Sequence, residues 1–261
     1  MPDWQRALVT GASSGIGEAF ARRLAADGAD LVLVARSGET LERLADNLRA
    51  EHGGKVEVLP ADLTTGDGRA PVVERLADDA APVDLLVNNA GVGTSGAFGE
   101  IPVDRELALV DLNISALVTL THAAVPAMRR HGRGGVINVS SLSGFQPYPF
   151  GATYGASKAF VTSFSKALHT ELSGSGVRVL AVCPGFTRTN FQAAAGISRT
   201  PIPDWLWLRP DQVAGEALAA LAAGRSVRVP GPAFRAWVGI TKVVPDVVLR
   251  RALASAGRHR H

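Results

Sequence analysis

Tyr154 and Lys158 stand four residues apart in the stretch GFQPYPFGATYGASK, where the pattern turns helical. Residues at i and i+4 share one face of a helix. An ammonium held beside a phenol favours the phenolate and lowers a pKa that starts near about 10. Two such groups can together move a proton to or from a substrate oxygen. A Tyr-x-x-x-Lys spacing is also common in solvated helices, so its meaning depends on the company it keeps.

Part of that company is TGASSGIG, residues 10–17, set directly between an apolar run and a helical pattern. The spacing departs from the usual G-x-G-x-x-G, yet the physical service is similar. Gly11 permits a tight turn, Gly15 lets backbone N–H groups approach a phosphate, and Gly17 lets the helix pack close with its positive end toward an anion. Three glycines in such a turn are also compatible with a plain turn. Farther on, VARS places Arg36 at the end of the second apolar run, about 20 residues past the glycine loop, where an acid would bind both ribose hydroxyls of NAD. A guanidinium there binds a 2′-phosphate instead, through charge-assisted hydrogen bonds. NADP(H) is therefore expected over NAD(H), with Ser13, Ser14 and Ser37 as weaker helpers.

The elements that position these residues are legible as alternation. Residues 6–10, 31–35, 56–60, 85–88, 135–140, 177–183 and 227–229 read as strands. Residues 16–27, 40–51, 68–80, 104–130, 154–173 and 210–223 read as helices. Strand and helix in turn predict an α/β fold, a doubly wound parallel sheet of about seven strands covered on both faces. Ligands of such sheets sit beyond the carboxyl ends of the strands.

Composition narrows the class. The 261 residues, 46% hydrophobic with 28 glycines, suit one large domain at 1–231 with an appendage at 232–261. One cysteine, Cys183, excludes an intramolecular disulfide and fits a reducing compartment, so a cytoplasmic protein is expected. No run reads as the roughly 18 apolar residues of a spanning helix. The net charge of +3 is spread among 24 acids, which argues against nucleic acid as a partner. No metal-ligand cluster is expected.

TGASSGIG, NNAG at 88–91, Asn113 within DLNISA, NVSSLSG ahead of YGASK, and PGFTRT occur together in an order and spacing that resemble the classical short-chain dehydrogenase/reductases. The resemblance runs from about Arg6 to Gly231. It implies hydride transfer between NADP(H) and a carbonyl or secondary alcohol, with Asn113, Ser141, Tyr154 and Lys158 as the catalytic set. Ser141, 13 positions before Tyr154, would hydrogen-bond the substrate oxygen, with Ser140 and Ser143 as bland competitors. Tyr154 would be the acid, Lys158 would depress its pKa and hold the nicotinamide ribose, and Asn113 would kink its helix around a relay water. Cofactor contacts are implied at Gly11, Ser13, Ser14, Gly15, Ile16, Gly17, Arg36, Asp62, Leu63, Asn89, Ala90, Gly91, Pro184, Gly185, Thr187 and Thr189, beside Tyr154 and Lys158. Asp62 would face the adenine amino group, the 88–91 loop the adenosine, and Thr189 the carboxamide.

The substrate is less legible. Phe186, Phe191, Ile197, Ile202, Trp205, Leu206, Trp207 and Leu208 follow the sixth strand, with Phe98, Phe145, Tyr148 and Phe150 on other loops. Such content suggests a lipophilic ketone or acyl chain, with core packing as the competing account. In the appendage, Trp237, Ile240, Val244, Val247, Val248 and Leu249 are expected on one face of two short helices broken near Pro245. Packing on the active site or on a second subunit, in a homodimer or homotetramer, is favoured there over a membrane surface. A cofactor-sensing protein without turnover is the alternative class, because a fold does not prove catalysis.

Overall fold

A computed structural model of the chain describes residues 4–195 and 203–241. The first half alternates β1 (Arg6–Thr10), α1 (Gly15–Ala26), β2 (Asp30–Ala35), α2 (Gly38–His52), β3 (Val56–Pro60), α3 (Gly66–Ala77) and β4 (Leu85–Asn88). Then come α4 (Val103–Val110), a π-helical turn (Asp111–Ala116), α5 (Leu117–Arg130), β5 (Gly134–Val139), a 3-10 turn (Leu142–Phe145), α6 (Ala152–Glu171) and β6 (Val177–Val182). The chain continues through α7 (Phe191–Ala194), a second 3-10 turn (Asp204–Leu206), α8 (Pro210–Ala222), β7 (Val227–Arg228) and α9 (Pro232–Thr241). The seven strands are parallel, in the order β3-β2-β1-β4-β5-β6-β7.

Side-chain alternation explains how one sheet serves two cores. Ala7, Val9, Leu31, Leu33, Leu85 and Val87 face one side with Phe20, Leu24, Leu41, Leu48, Val213 and Leu221 from α1, α2 and α8. Leu8, Val32, Val34, Leu86 and Val136 face the other with Val72, Leu76, Leu120, Ala124 and Met128 from α3 and α5. Strands covered on both faces are apolar at every position, which is why LVLVA reads as an unbroken run. Caps set the helix starts: Ser37 Oγ accepts the Thr40 N–H at 3.3 Å, and Thr65 Oγ1 accepts that of Gly68 at 3.0 Å. Phe20 is fully buried beneath α1. Phe20→Ala is expected to cost about 3–5 kcal/mol, read as a lower midpoint in urea unfolding.

Two expectations need correcting. The expectation that no run is apolar enough for a spanning helix is the first: Val103–Arg130, helical throughout with the π turn inside it, is 28 residues long and apolar enough, by length and composition, to cross a membrane. Leu109, Leu117, Leu120, Ala124 and Met128 of this stretch face the protein and are buried, whereas Val103 and Leu107 near its start are exposed. In α9, the buried face is Phe234 and Val238, whereas Trp237 and Ile240 are exposed. Phe234 and Val238 are four apart on one face, and Phe234 packs on Gly185, which decides which stripe is covered. Ile197, Ile202 and the expected second helix of the appendage lie outside the described residues.

Chain order reverses between β1 and β4, which opens a crevice above their carboxyl ends. The register brings Asn88 of β4 level with Asn138 of β5 at that edge.

Candidate active site

The first wall of the crevice is the glycine loop. Gly11 and Gly15 have φ of 65° and 61°, in the left-handed region that side chains other than glycine rarely adopt. A Cβ on Gly17 would run into the Gly11 carbonyl oxygen and stand 2.5 Å from Asn89 Nδ2, so the loop is folded tightly upon itself. Ser14, exposed, precedes α1 without capping it through its side chain, which leaves the first N–H groups of the helix open to an anion. Ser13 is half-buried beside it, and Ile16 packs against the core.

Thr10, which sequence reasoning passed over, ties this wall to the next. Its Oγ1 accepts the N–H groups of Asn89 and Ala90, each at 3.0 Å, while donating to Val87 O at 3.2 Å. Asn89 Nδ2 donates back to the carbonyls of Thr10 and Gly11 at 2.9 and 3.2 Å. Asn88, expected against the adenosine, points inward instead. Its Nδ2 donates to Thr121 Oγ1 and Asn138 Oδ1 at 3.0 and 2.9 Å, and Asn138 passes the chain on to Ser165. Strand alternation requires this: Asn89 leaves the strand toward the crevice, so Asn88 faces the helices below.

At the adenosine end, Asp62 accepts the Thr64 N–H and hydroxyl at 3.0 and 2.7 Å. These bonds, with the nearby Arg36 charge, hold its carboxyl below the usual range against a small opposing effect of burial. Arg36 is exposed and makes no hydrogen bond or ion pair with a described residue. Leu63 is buried in the core, so its backbone is what it can offer a ligand.

The catalytic candidates converge on the opposite side of the switch point. Tyr154 and Lys158 are both buried on α6, with Nζ 5.8 Å from the phenol ring centroid. Lys158 Nζ donates to Val139 O at 2.9 Å. A Cβ on Gly91 would stand 3.1 Å from Asn113 Oδ1 and 3.4 Å from Lys158 Nζ, so these three meet. The expected kink at Asn113 is the π turn, a feature frequent at functional sites. Its amide accepts the Val92 N–H at 3.0 Å and donates to Val92 O and Ser157 Oγ at 3.0 and 3.1 Å. The side chain is thus committed to holding the 91–92 turn.

The three serines separate cleanly. Ser140 Oγ donates to Lys158 O at 2.7 Å and lies 2.8 Å from Thr162 Oγ1, deep in the core. Ser141 caps the 3-10 turn, its Oγ accepting the Ser143 N–H at 3.2 Å, and its hydroxyl bonds the Tyr154 phenol. Ser143 is buried close to the same phenol. Burial pushes the phenol up to about 12, outweighing the Ser141 bond, and pushes Lys158 down to about 8. Burial is the largest influence on the phenol, and Lys158, with Nζ 5.8 Å from the ring centroid, is not among the groups that shift it, which differs from the expectation that the lysine depresses it. Burial likewise pushes the Cys183 thiol up to about 11, which makes it unreactive core.

The loop after β6 closes the crevice. The Thr189 methyl would lie 3.0 Å from a Cβ on Gly15, so this loop reaches across to the glycine turn. Thr187 is buried, and its hydroxyl is spent on Gly185 O at 3.1 Å. Pro184 O accepts the Leu142 N–H at 3.1 Å, and Gly185 packs flat against the Phe234 ring of α9. Among the described residues no cluster of three metal-binding side chains exists.

A cradle for phosphates beside a buried tyrosine and lysine and a half-buried serine defines a dinucleotide-dependent oxidoreductase. The short chain dehydrogenase family model matches residues 5–199, and the chain belongs to that family. It is 34% identical over 200 residues to a ketoacyl reductase, HetN, of Nostoc sp., covering 73% of this chain and 69% of that one. A short-chain dehydrogenase from Sphingobium yanoikuyae in complex with NADPH superposes with a TM-score of 0.83 at 39% identity, covering 92% and 96% of the two chains. A bulky-bulky ketone specific alcohol dehydrogenase from Comamonas testosteroni follows at 0.79 and 34%, covering 93% and 96%.

Proposed function

We propose that this oxidoreductase reduces a lipophilic ketone, or oxidises the matching secondary alcohol, with NADP(H). The observation that carries the reading is the meeting of buried Tyr154 and Lys158 with half-buried Ser141 at the carboxyl end of the sheet, beside a glycine loop shaped for a ligand phosphate. When bound, the nicotinamide supplies or accepts the hydride. The glycine loop and the α1 N-terminus would hold its pyrophosphate, Arg36 its 2′-phosphate, Asp62 and the 89–91 turn its adenosine, and the 184–189 turn its nicotinamide end. Support for the phosphate comes from the Arg36 guanidinium just past β2, unpaired among the described residues, and from the NADPH complex of the Sphingobium relative.

Ser141 would donate to the substrate oxygen, and Tyr154 would give that oxygen its proton. Lys158, charged below about pH 8, steadies the phenolate left behind. Asn113 acts as a positioning residue, since its amide sets the turn on which Gly91 meets Lys158. A panel of ketones and alcohols, from short chains to steroids and long 3-oxoacyl thioesters, run with NADPH and NADH, tests the reading: no turnover of any member would overturn it.

The pH dependence follows from the two buried groups. The phenol, at about 12, is protonated near neutrality and ready to donate. Reduction is expected to hold level below about pH 8 and to fall as Lys158 discharges above it, whereas alcohol oxidation, which needs the phenolate, rises with pH. Initial rates in both directions across that range check the opposite slopes.

We further infer a cytoplasmic homo-oligomer in which residues 1–231 form the catalytic unit and the appendage packs upon it or on a second subunit. Exposed Val103, Leu107 and Phe160 on α4 and α6 support a covered face, and light scattering at several concentrations would test it.

A further inference from the structure

Glu216, on α8, lies outside the catalytic set, yet its carboxylate gathers donors from several parts of the chain. Oε2 accepts Arg228 Nε and Nη2 from β7 at 3.0 and 2.7 Å and stands 3.6 Å from Arg235 Nη1 of α9. Oε1 accepts Gln212 Nε2 at 3.0 Å and the Gly231 N–H at 3.4 Å. A lone surface ion pair contributes little, whereas one half-buried carboxylate that meets two guanidiniums and a backbone N–H is a firmer tie. β7, Gly231 and the first turn of α9 are thereby fixed to α8.

What this tie holds reaches the active site. Phe234, the neighbour of Arg235, is buried, and its ring stands 2.5 Å from the position of a Cβ on Gly185. The Phe186 ring lies 6.2 Å from it, centroid to centroid, and α9 packs on the 3-10 turn Leu142–Phe145 as well. That turn begins at Ser141, which caps it. The two turns are joined to each other and to β7: the Leu142 N–H donates to Pro184 O at 3.1 Å, and the Cys183 N–H donates to Arg228 O at 2.7 Å. Both turns therefore lean on a helix whose entry Glu216 fixes.

We propose that Glu216 is a positioning residue: by anchoring the start of α9 to β7 it seats Phe234 behind the 184–186 and 142–145 turns, and so aligns Ser141 and the seat of the nicotinamide end. The glycine loop is held separately, by Thr10 and Asn89, so the phosphate end of the crevice is insulated from this tie. The link to catalysis rests on the reductase reading above, whereas the bracing of the two turns does not. Local opening of a braced segment is measurable by hydrogen exchange without any ligand.

Hydrogen exchange of the full chain, free of cofactor, is compared by mass spectrometry for the wild type, Glu216→Gln, Phe234→Leu and the double variant. The expected result for Glu216→Gln is at least tenfold faster exchange in peptides spanning 141–146 and 183–187, with α2 and α3 within twofold of the wild type. NADPH-dependent reduction of propiophenone, expressed per bound NADPH, is expected to lose about tenfold in kcat, with NADPH affinity by fluorescence within threefold. Because Glu216 acts through Phe234, the double variant is expected to lose no more kcat than the worse single one, a failure of additivity that marks coupled residues. Exchange unchanged in the two turns, or raised equally in α2 and α3, would overturn the proposal, the latter as general loss of stability. Faster exchange with kcat intact, or kcat losses that multiply in the double variant, would overturn the positioning role. A wild type that binds NADPH and leaves propiophenone unreduced would count against the reductase reading for aryl ketones, and the exchange pattern would then decide the brace by itself.

Discussion

Tyr154→Phe is expected to lower kcat for carbonyl reduction by about 10³-fold, within the range of general acid catalysis, while NADPH still binds. The substitution removes one hydroxyl and keeps the ring that Tyr148 and Phe191 pack against, so the wall of the cleft stays in place. No nearby group takes over. An aliphatic hydroxyl such as that of Ser141 is a far weaker acid than a phenol, and Lys158 Nζ is held by Val139 O. A proton must then come from water, which the buried position of the phenol disfavours. Stopped-flow measurement of NADPH oxidation, beside fluorescence titration of NADPH, separates lost chemistry from lost binding. A loss below tenfold would remove Tyr154 from the role of acid.

Arg36→Ala is expected to cut kcat/KM with NADPH by about 10- to 100-fold, with NADH affected far less. Hydrogen bonds to a charged group contribute about 1.5–3 kcal/mol, and this guanidinium has no competing partner among the described residues to release first. The position before Gly15 is Ser14, exposed and uncharged, so one arginine carries most of the discrimination. Nearby Asp62 does not oppose it, since its carboxylate is turned to Thr64. Equal use of both cofactors by the wild type would refute the assignment.

Most of this architecture was legible because its signals are short-ranged. LVLVA is apolar at every position since both sheet faces are covered, and the glycine loop declares itself because Gly11 and Gly15 need positive φ. The helix pair Tyr154 and Lys158 follows from a four-residue spacing. The π turn was foreshadowed by an asparagine at a poor helical position, though not its shape. Thr10 carried a weak signal, a hydroxyl at the end of an apolar strand, whose value lies in two N–H groups almost 80 residues away in sequence.

By itself, then, the sequence determined the alternation of strands and helices, the glycine turn, the candidate tetrad and the cation at the end of β2. Each of these depends on residues a few positions apart, where local sterics and burial pattern suffice. Only the tertiary structure decided that Ser140 faces the core while Ser141 faces the phenol, that Asn88 turns inward, and that Phe234 rather than Trp237 lies on the protein. It alone brought Ser143, Tyr148 and Phe191 around Tyr154. Distance and burial set those outcomes, because desolvation raises the phenol to about 12 and lowers the lysine to about 8 only once separate loops have closed over both.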